Sequence, residues 1–251
     1  MDMAFMALSF FAAVAAGIVN AIAGGGTLIT FPLLTALGLP ALSANITNTV
    51  ALCPGYLGGT WAQRKELKEQ RRRLALLLSF GIAGGVAGGF LLLKTGEKRF
   101  TTLIPWLILF STILIAIQPA AKKMIAGRKS SGSSHRWISI VFILIPATLY
   151  GGYFGAGVSI IILAALGLMY NESLTSLNAL KQLLSLCINV AAAVFFLFSN
   201  LINWPIALVM ATGAITGGYL GGKLAGIINP VTLRRVIVMI GLAVSVYYFC
   251  K

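Results

Sequence analysis

Ala23-Gly24-Gly25-Gly26-Thr27 interrupts an apolar stretch that carries no charge from Met3 to Gln63. Phe154-Gly155-Ala156-Gly157-Val158-Ser159 does the same in the second half of the chain. Glycine adopts backbone conformations that other residues avoid and lets other groups approach closely, so each stretch reads as a helix break. In hydrocarbon such a break frees amides and carbonyls that lipid does not satisfy. It is tolerated where it packs on protein or lines a cavity. The two breaks are expected to face each other near a membrane midplane and to form a substrate site.

Outward from the breaks the chain stays apolar. Of its 251 residues 59% are hydrophobic and 10% charged, with a mean hydropathy of +0.95, where a soluble domain carries about 25% charged residues. This is the composition of an all-α polytopic membrane protein. A spanning helix needs roughly 20 apolar residues. Segments are expected over Met3–Ile22, Leu28–Gly38, Ser43–Ala62, Leu74–Leu93 and Thr102–Gln118, then over Ile138–Gly151, Val158–Gly167, Ser173–Ser199, Trp204–Gly222 and Val231–Phe249. The segments after the two breaks are too short to cross upright at 1.5 Å per residue. Between the halves, Pro119–Arg136 holds Lys122, Lys123, Arg128, Lys129 and the run Ser130-Ser131-Gly132-Ser133-Ser134, the composition of a flexible linker. His135 reads as a solvated residue of that linker. The domains expected are a first membrane repeat over 1–120, a cytoplasmic linker over 121–136 and a second repeat over 137–251.

The halves echo each other. Gly26 to Gly38 and Gly155 to Gly167 are equally spaced, and Gly84-Gly85-Val86-Ala87-Gly88-Gly89 matches Gly217-Gly218-Tyr219-Leu220-Gly221-Gly222 at an offset of 133. Thr47-Asn48 matches Leu177-Asn178 at an offset of 130. Internal symmetry of this kind is common in transporter folds. The glycine-rich runs put small residues four apart, which lets helix backbones approach. They read as packing faces, since no strand precedes them and no Lys-Ser or Lys-Thr follows.

Charge sets the topology. The net charge of +14 does not mark a nucleic-acid binder, because the basic residues sit in short loops between apolar spans. With five segments per half, loops 63–73, 119–136 and 223–235 fall on one side with 14 Lys and Arg, and four fall on the other. The positive-inside rule makes the richer side cytoplasmic, leaves both termini external and makes the two repeats inverted. The N-terminus holds Asp2 and no Lys or Arg before its apolar run, so a cleaved signal peptide is not expected. Cys53, Cys187 and Cys250 are odd in number and lack metal-type spacing, so no disulfide framework or metal site follows.

Few residues can carry chemistry. No Ser/His/Asp or Cys/His set and no carboxylate pair lies in any span, so neither an enzyme nor a cofactor is expected. A short helix starting at a break points its N-terminal amides and positive dipole end into the protein, where an anion can be held. Gly24, Gly25, Gly26, Gly155 and Gly157 would supply the amides, and Thr27 and Ser159 hydroxyl donors; the alternative is a tight packing kink with no ligand. Asn48 and Asn178 read either as interhelical hydrogen-bonding residues or as ligand contacts. Lys181 lies eight residues inside its segment, where a lysine costs about 2.5–3.5 kcal/mol at a helix centre. It either snorkels about 12 Å to the interface or holds an anion. Gln182 and Asn189 are weaker candidates.

The motifs Asn20-Ala21-Ile22-Ala23-Gly24-Gly25-Gly26-Thr27, Phe31-Pro32-Leu33-Leu34 and Ala44-Asn45-Ile46-Thr47-Asn48 resemble the first-half signature of the sulfite exporter TauE/SafE family of bacterial and archaeal permeases. Leu177-Asn178-Ala179-Leu180-Lys181-Gln182-Leu183-Leu184 resembles its second-half counterpart, although Ile160–Leu163 offers no proline to match Pro32. The resemblance implies a secondary transporter in the cytoplasmic membrane that exports small sulfur-containing or organic anions such as sulfite, sulfoacetate, other sulfonates or carboxylates. The expected partners are that anion, the lipid bilayer and a second copy of the chain in a homodimer, with no nucleic acid. An anion channel and a non-transporting membrane assembly component are the rival readings.

Overall fold

The computed structural model describes residues 3–22, 24–68, 71–126, 136–170, 172–224 and 229–250. Every regular element among them is an α-helix: α1 (Met3–Ile22), α2 (Thr27–Ala36), α3 (Ala41–Ala62), α4 (Arg64–Lys68), α5 (Arg71–Ala126), α6 (Arg136–Tyr153), α7 (Val158–Met169), α8 (Leu174–Phe196), α9 (Trp204–Leu224) and α10 (Pro230–Cys250). Met3–Ile22, Leu74–Met124, Thr175–Phe196 and Pro230–Cys250 are long and apolar enough to cross a membrane. Large apolar side chains such as Phe11, Trp106, Phe142 and Val246 stay exposed around the bundle. That is the expected outside of a protein whose solvent is lipid.

Two expectations need correction. Lys94–Arg99, which falls between the expected segments Leu74–Leu93 and Thr102–Gln118 and so reads as their connecting loop, is helical. Helix reaches it from both sides and is interrupted at Gly96, whose φ of 70° and ψ of 167° divide α5 into two arms. One glycine in a conformation closed to other residues is enough to redirect the chain. The linker also begins later than its composition suggests, because α5 continues past Pro119 to Ala126. His135 and the serine run at 130–134 lie outside the described residues.

The two glycine faces join opposite halves of the chain. Gly213, Gly217 and Gly221 of α9 lie on the backbone of α1 at Phe10, Val14 and Ile18, while Gly17 returns the contact to Ala214 and Gly218. Likewise Gly84 and Gly88 in the first arm of α5 lie on α6 at Thr148 and Leu149, and Gly85 lies on α8 at Ile188. The space for a side chain is already filled by the neighbouring backbone, which is the close approach that small residues at four-residue spacing permit.

Within this frame α3 crosses α8 and also packs on α9. The polar run of α3, Asn45, Thr47, Asn48 and Thr49, is buried against protein. The start of α3, just before this run, is tied by named bonds. Glu97, next to the α5 break, accepts the Ala41 and Leu42 amides at 2.6 and 3.0 Å. Ser43 Oγ donates to the Leu201 carbonyl at 2.7 Å. The second arm of α5 packs on α10, where Ser245 Oγ donates to the Pro105 carbonyl at 3.1 Å.

Candidate functional site

The first break is a turn with two glycines in left-handed conformation, Gly24 (φ 79°) and Gly25 (φ 99°). Gly24 N–H donates to the Val19 carbonyl at 2.8 Å and Leu28 N–H to the Gly25 carbonyl at 3.0 Å, so α1 ends and α2 starts within a few residues. Asn20 Oδ1 accepts the Gly26 amide at 2.8 Å. In the second break the left-handed residues are Gly155 (φ 77°) and Gly157 (φ 72°). Phe154 and Gly155 N–H both donate to the Tyr150 carbonyl, and Val158 N–H donates to Gly155. Tyr150 Oη donates to the Ala156 carbonyl at 2.8 Å and lies 2.7 Å from Ser111 Oγ in the second arm of α5.

The fold brings the two turns into contact. A methyl group on Gly24 would lie 2.6 Å from Ser159 Oγ. Between the turns is a cavity of about 10 Å³, room for about one water. Of the ten main candidates from the sequence, seven line it: Gly24, Gly25, Thr27, Gly155, Gly157, Ser159 and Lys181. Three do not. Gly26 turns away and packs on Ala16, with its amide on Asn20. Asn48 is buried in α3 with an unpartnered Oδ1. Asn178 Nδ2 donates to Gln63 Oε1 at 3.2 Å, tying the start of α8 to the residue after α3.

Position within the helices gives a different register from residue identity. α3 opens at Ala41 and α8 at Leu174, an offset of 133, the same as between the glycine faces. Asn48 and Lys181 are each the eighth residue of their helices, and Asn45 and Asn178 each the fifth. Counted from the helix starts, Lys181 rather than Asn178 aligns with Asn48, and the offset of 130 between the Asn-containing pairs is three residues shorter.

The cavity wall holds donors that have no acceptor among the described residues. Lys181 is half-buried and has no hydrogen-bond or ion-pair partner among the described residues. Gln182, 6% exposed, also lines the cavity without a partner among them, as does the Ser159 hydroxyl. Sequence reasoning missed Asn20 and Tyr56, both in the wall. Asn20 had a readable signal, a lone amide at the end of an apolar helix beside a glycine break; Tyr56 had none.

A larger cavity of about 530 Å³ lies along the other end of α2, walled by Pro32, Thr35, Glu97, Thr101 and Tyr248 among others. The hydroxyls of Thr35 and Tyr248 are hydrogen-bonded across it. Phe31, Phe100 and Phe154 stack edge-on and tilted at 5.4 to 6.4 Å between ring centres. Phe31 precedes Pro32 of the large cavity and Phe154 precedes Gly155 of the small one. The aromatic cluster thus links the two cavities through its chain neighbours.

The family model described as sulfite exporter TauE/SafE matches residues 9–248. A probable membrane transporter protein, YfcA, of Escherichia coli K12 is 24% identical over 241 residues, covering 94% of this chain and 86% of that protein. A probable membrane transporter protein of Haemophilus influenzae is 25% identical over 235 residues, covering 93% and 90%. The probable membrane transporter protein ORF9 of a Sinorhizobium species is 25% identical over 250 residues, covering 98% and 93%. No solved structure gives a significant match.

Proposed function

The chain belongs to the sulfite exporter TauE/SafE family, and on that premise we propose that it is a secondary transporter moving a small sulfur-containing or organic anion, such as sulfite, sulfoacetate or another sulfonate, out of the cell by alternating access. The observation that carries this reading is Lys181, an ammonium in the cavity wall with no acceptor among the described residues. A cation desolvated without a partner is costly, and an anionic head group between the turns supplies the partner. Gln182 and the Ser159 hydroxyl stand ready to orient it.

At about 10 Å³ the cavity is smaller than any sulfonate, so the anion enters only when the touching turns separate. This supports alternating access over an open channel. The proposed moving parts are two inverted repeats of five segments, with α1 to α3 and the two arms of α5 in one and α6 to α10 in the other. The packing supports the pairing, since α1 lies on α9 as α6 lies on α5, and α3 lies on α9 as α8 lies on α5. The asymmetry of Lys and Arg across the loops supports a cytoplasmic-membrane location with loops 63–73, 119–136 and 223–235 inside and both termini outside.

The test is counterflow in proteoliposomes loaded with unlabelled sulfoacetate. Wild-type protein is expected to accumulate labelled sulfoacetate by trans-stimulation. Lys181→Met is expected to lose about ten- to a hundredfold in apparent affinity, the range for hydrogen bonds to charged groups. Absence of trans-stimulation for every sulfonate, sulfite and short carboxylate tried, with no thermal stabilisation by any of them, overturns the reading.

A further inference from the structure

The two glycine turns hold equivalent peptide units in opposite ways. Gly26 precedes the first residue of α2 and Gly157 the first residue of α7, so peptide 25–26 of the first turn corresponds to peptide 156–157 of the second. In the first, both ends are taken: Gly26 N–H donates to Asn20 Oδ1, and the Gly25 carbonyl accepts from Leu28 N–H. In the second, the carbonyl is taken instead, by the Tyr150 hydroxyl. The N–H and C=O of a trans peptide point in opposite directions. With Ala156 C=O held on Tyr150, Gly157 N–H points away from that ring, and it has no acceptor among the described residues.

Resting on the anion-transporter reading above, we propose that anion recognition is confined to the second turn, with Tyr150 as the positioning residue that holds the Gly157 amide toward the cavity, while Asn20 closes the first turn to ligand. The pinning has a second effect. The Ala156 carbonyl, which would repel an anion if it faced the cavity, is turned back and neutralised by a donor. Ser111 completes the arrangement. With the tyrosyl proton on Ala156, the one Ser111 hydroxyl proton is shared between the Leu107 carbonyl at 2.6 Å and Tyr150 Oη at 2.7 Å, which ties the phenol oxygen to the second arm of α5, and the Ser111 carbonyl packs against Gly157. Lys181 and the buried, unpartnered Gln182 complete the same side of the site. In the first turn the equivalent donor, the Gly26 amide, is spent on Asn20 instead.

The experiment measures sulfoacetate affinity by titration calorimetry on purified protein, with Km and Vmax from counterflow. Tyr150→Phe is expected to raise Kd and Km roughly five- to twentyfold, with Vmax at saturating anion within about twofold; loss of packing alone would lower Vmax instead. Ser111→Ala is expected to move Kd the same way by roughly two- to fivefold, and it decides the question should Tyr150→Phe not fold. Asn20→Ala, which releases the Gly26 amide as an added donor, is expected to lower Kd. A wild-type Kd that persists within twofold in Tyr150→Phe, or in Ser111→Ala where that variant decides, overturns the proposal while leaving the transporter reading intact. So does an Asn20→Ala variant that weakens binding as much as Tyr150→Phe. A wild-type protein that binds no sulfonate removes both.

Discussion

Gly24 and Ser159 meet across the cavity, one from each half of the chain: a methyl on Gly24 would lie 2.6 Å from the serine hydroxyl oxygen. The contact couples two residues 135 apart in sequence, and it makes Gly24 doubly constrained. Its φ of 79° disfavours any side chain, at about 1–2 kcal/mol, and the space where one would go belongs to Ser159. Gly24→Ala is expected to lower the thermal midpoint of the purified protein and to depress counterflow. In Gly24→Ala/Ser159→Gly the steric part is relieved and the backbone part stays, so recovery should be partial. Full recovery in the double variant would mean that backbone strain contributes nothing.

Asn178 and Lys181 sit one helical turn apart on α8, yet only Lys181 lines the cavity. Asn178→Ala is expected to cost stability by about 0.5–1.5 kcal/mol, the net value of its bond to Gln63, while leaving sulfoacetate Kd within about twofold. Gln63→Ala should do the same, and the double variant should cost no more than either alone, because both remove one interaction. Kd rising tenfold in Asn178→Ala would return that residue to the binding site.

The helical architecture, the two breaks and most of the cavity wall were legible because each has a strong local cause. Apolar length marks spans, and consecutive glycines mark places where a helix stops. What was not legible depends on register and on contacts distant in sequence. The Asn48–Asn178 match followed residue identity, whereas position counted from the helix starts aligns Asn48 with Lys181, a register that only the helix bounds reveal. The Lys94–Arg99 stretch looked like a loop because its charges resemble one, but a single glycine made the turn and the helix kept its hydrogen bonding on either side. The hold of Tyr150 on Ala156 had no sequence signal, since an aromatic in an apolar helix is ordinarily a packing residue.

The glycine faces make a last prediction that separates neighbours within one motif. Gly217 and Gly218 are adjacent in α9 and point to different helices. A Cβ on Gly217 would overlap the backbone of α1, lying 2.7 Å from the Val14 carbonyl carbon, whereas one on Gly218 would reach Gly55 of α3 no closer than 3.4 Å, an ordinary contact. Gly217→Ala is therefore expected to force α1 and α9 apart at about 1–3 kcal/mol, as overpacking does. Gly218→Ala is expected to be neutral or to gain up to about 1 kcal/mol from alanine's helix preference. Midpoints of unfolding in detergent for the two variants, compared with wild type, read this directly. Equal destabilisation would show that α9 tolerates no side chain on either face, and the assignment of Gly217 alone to the α1 contact would fall.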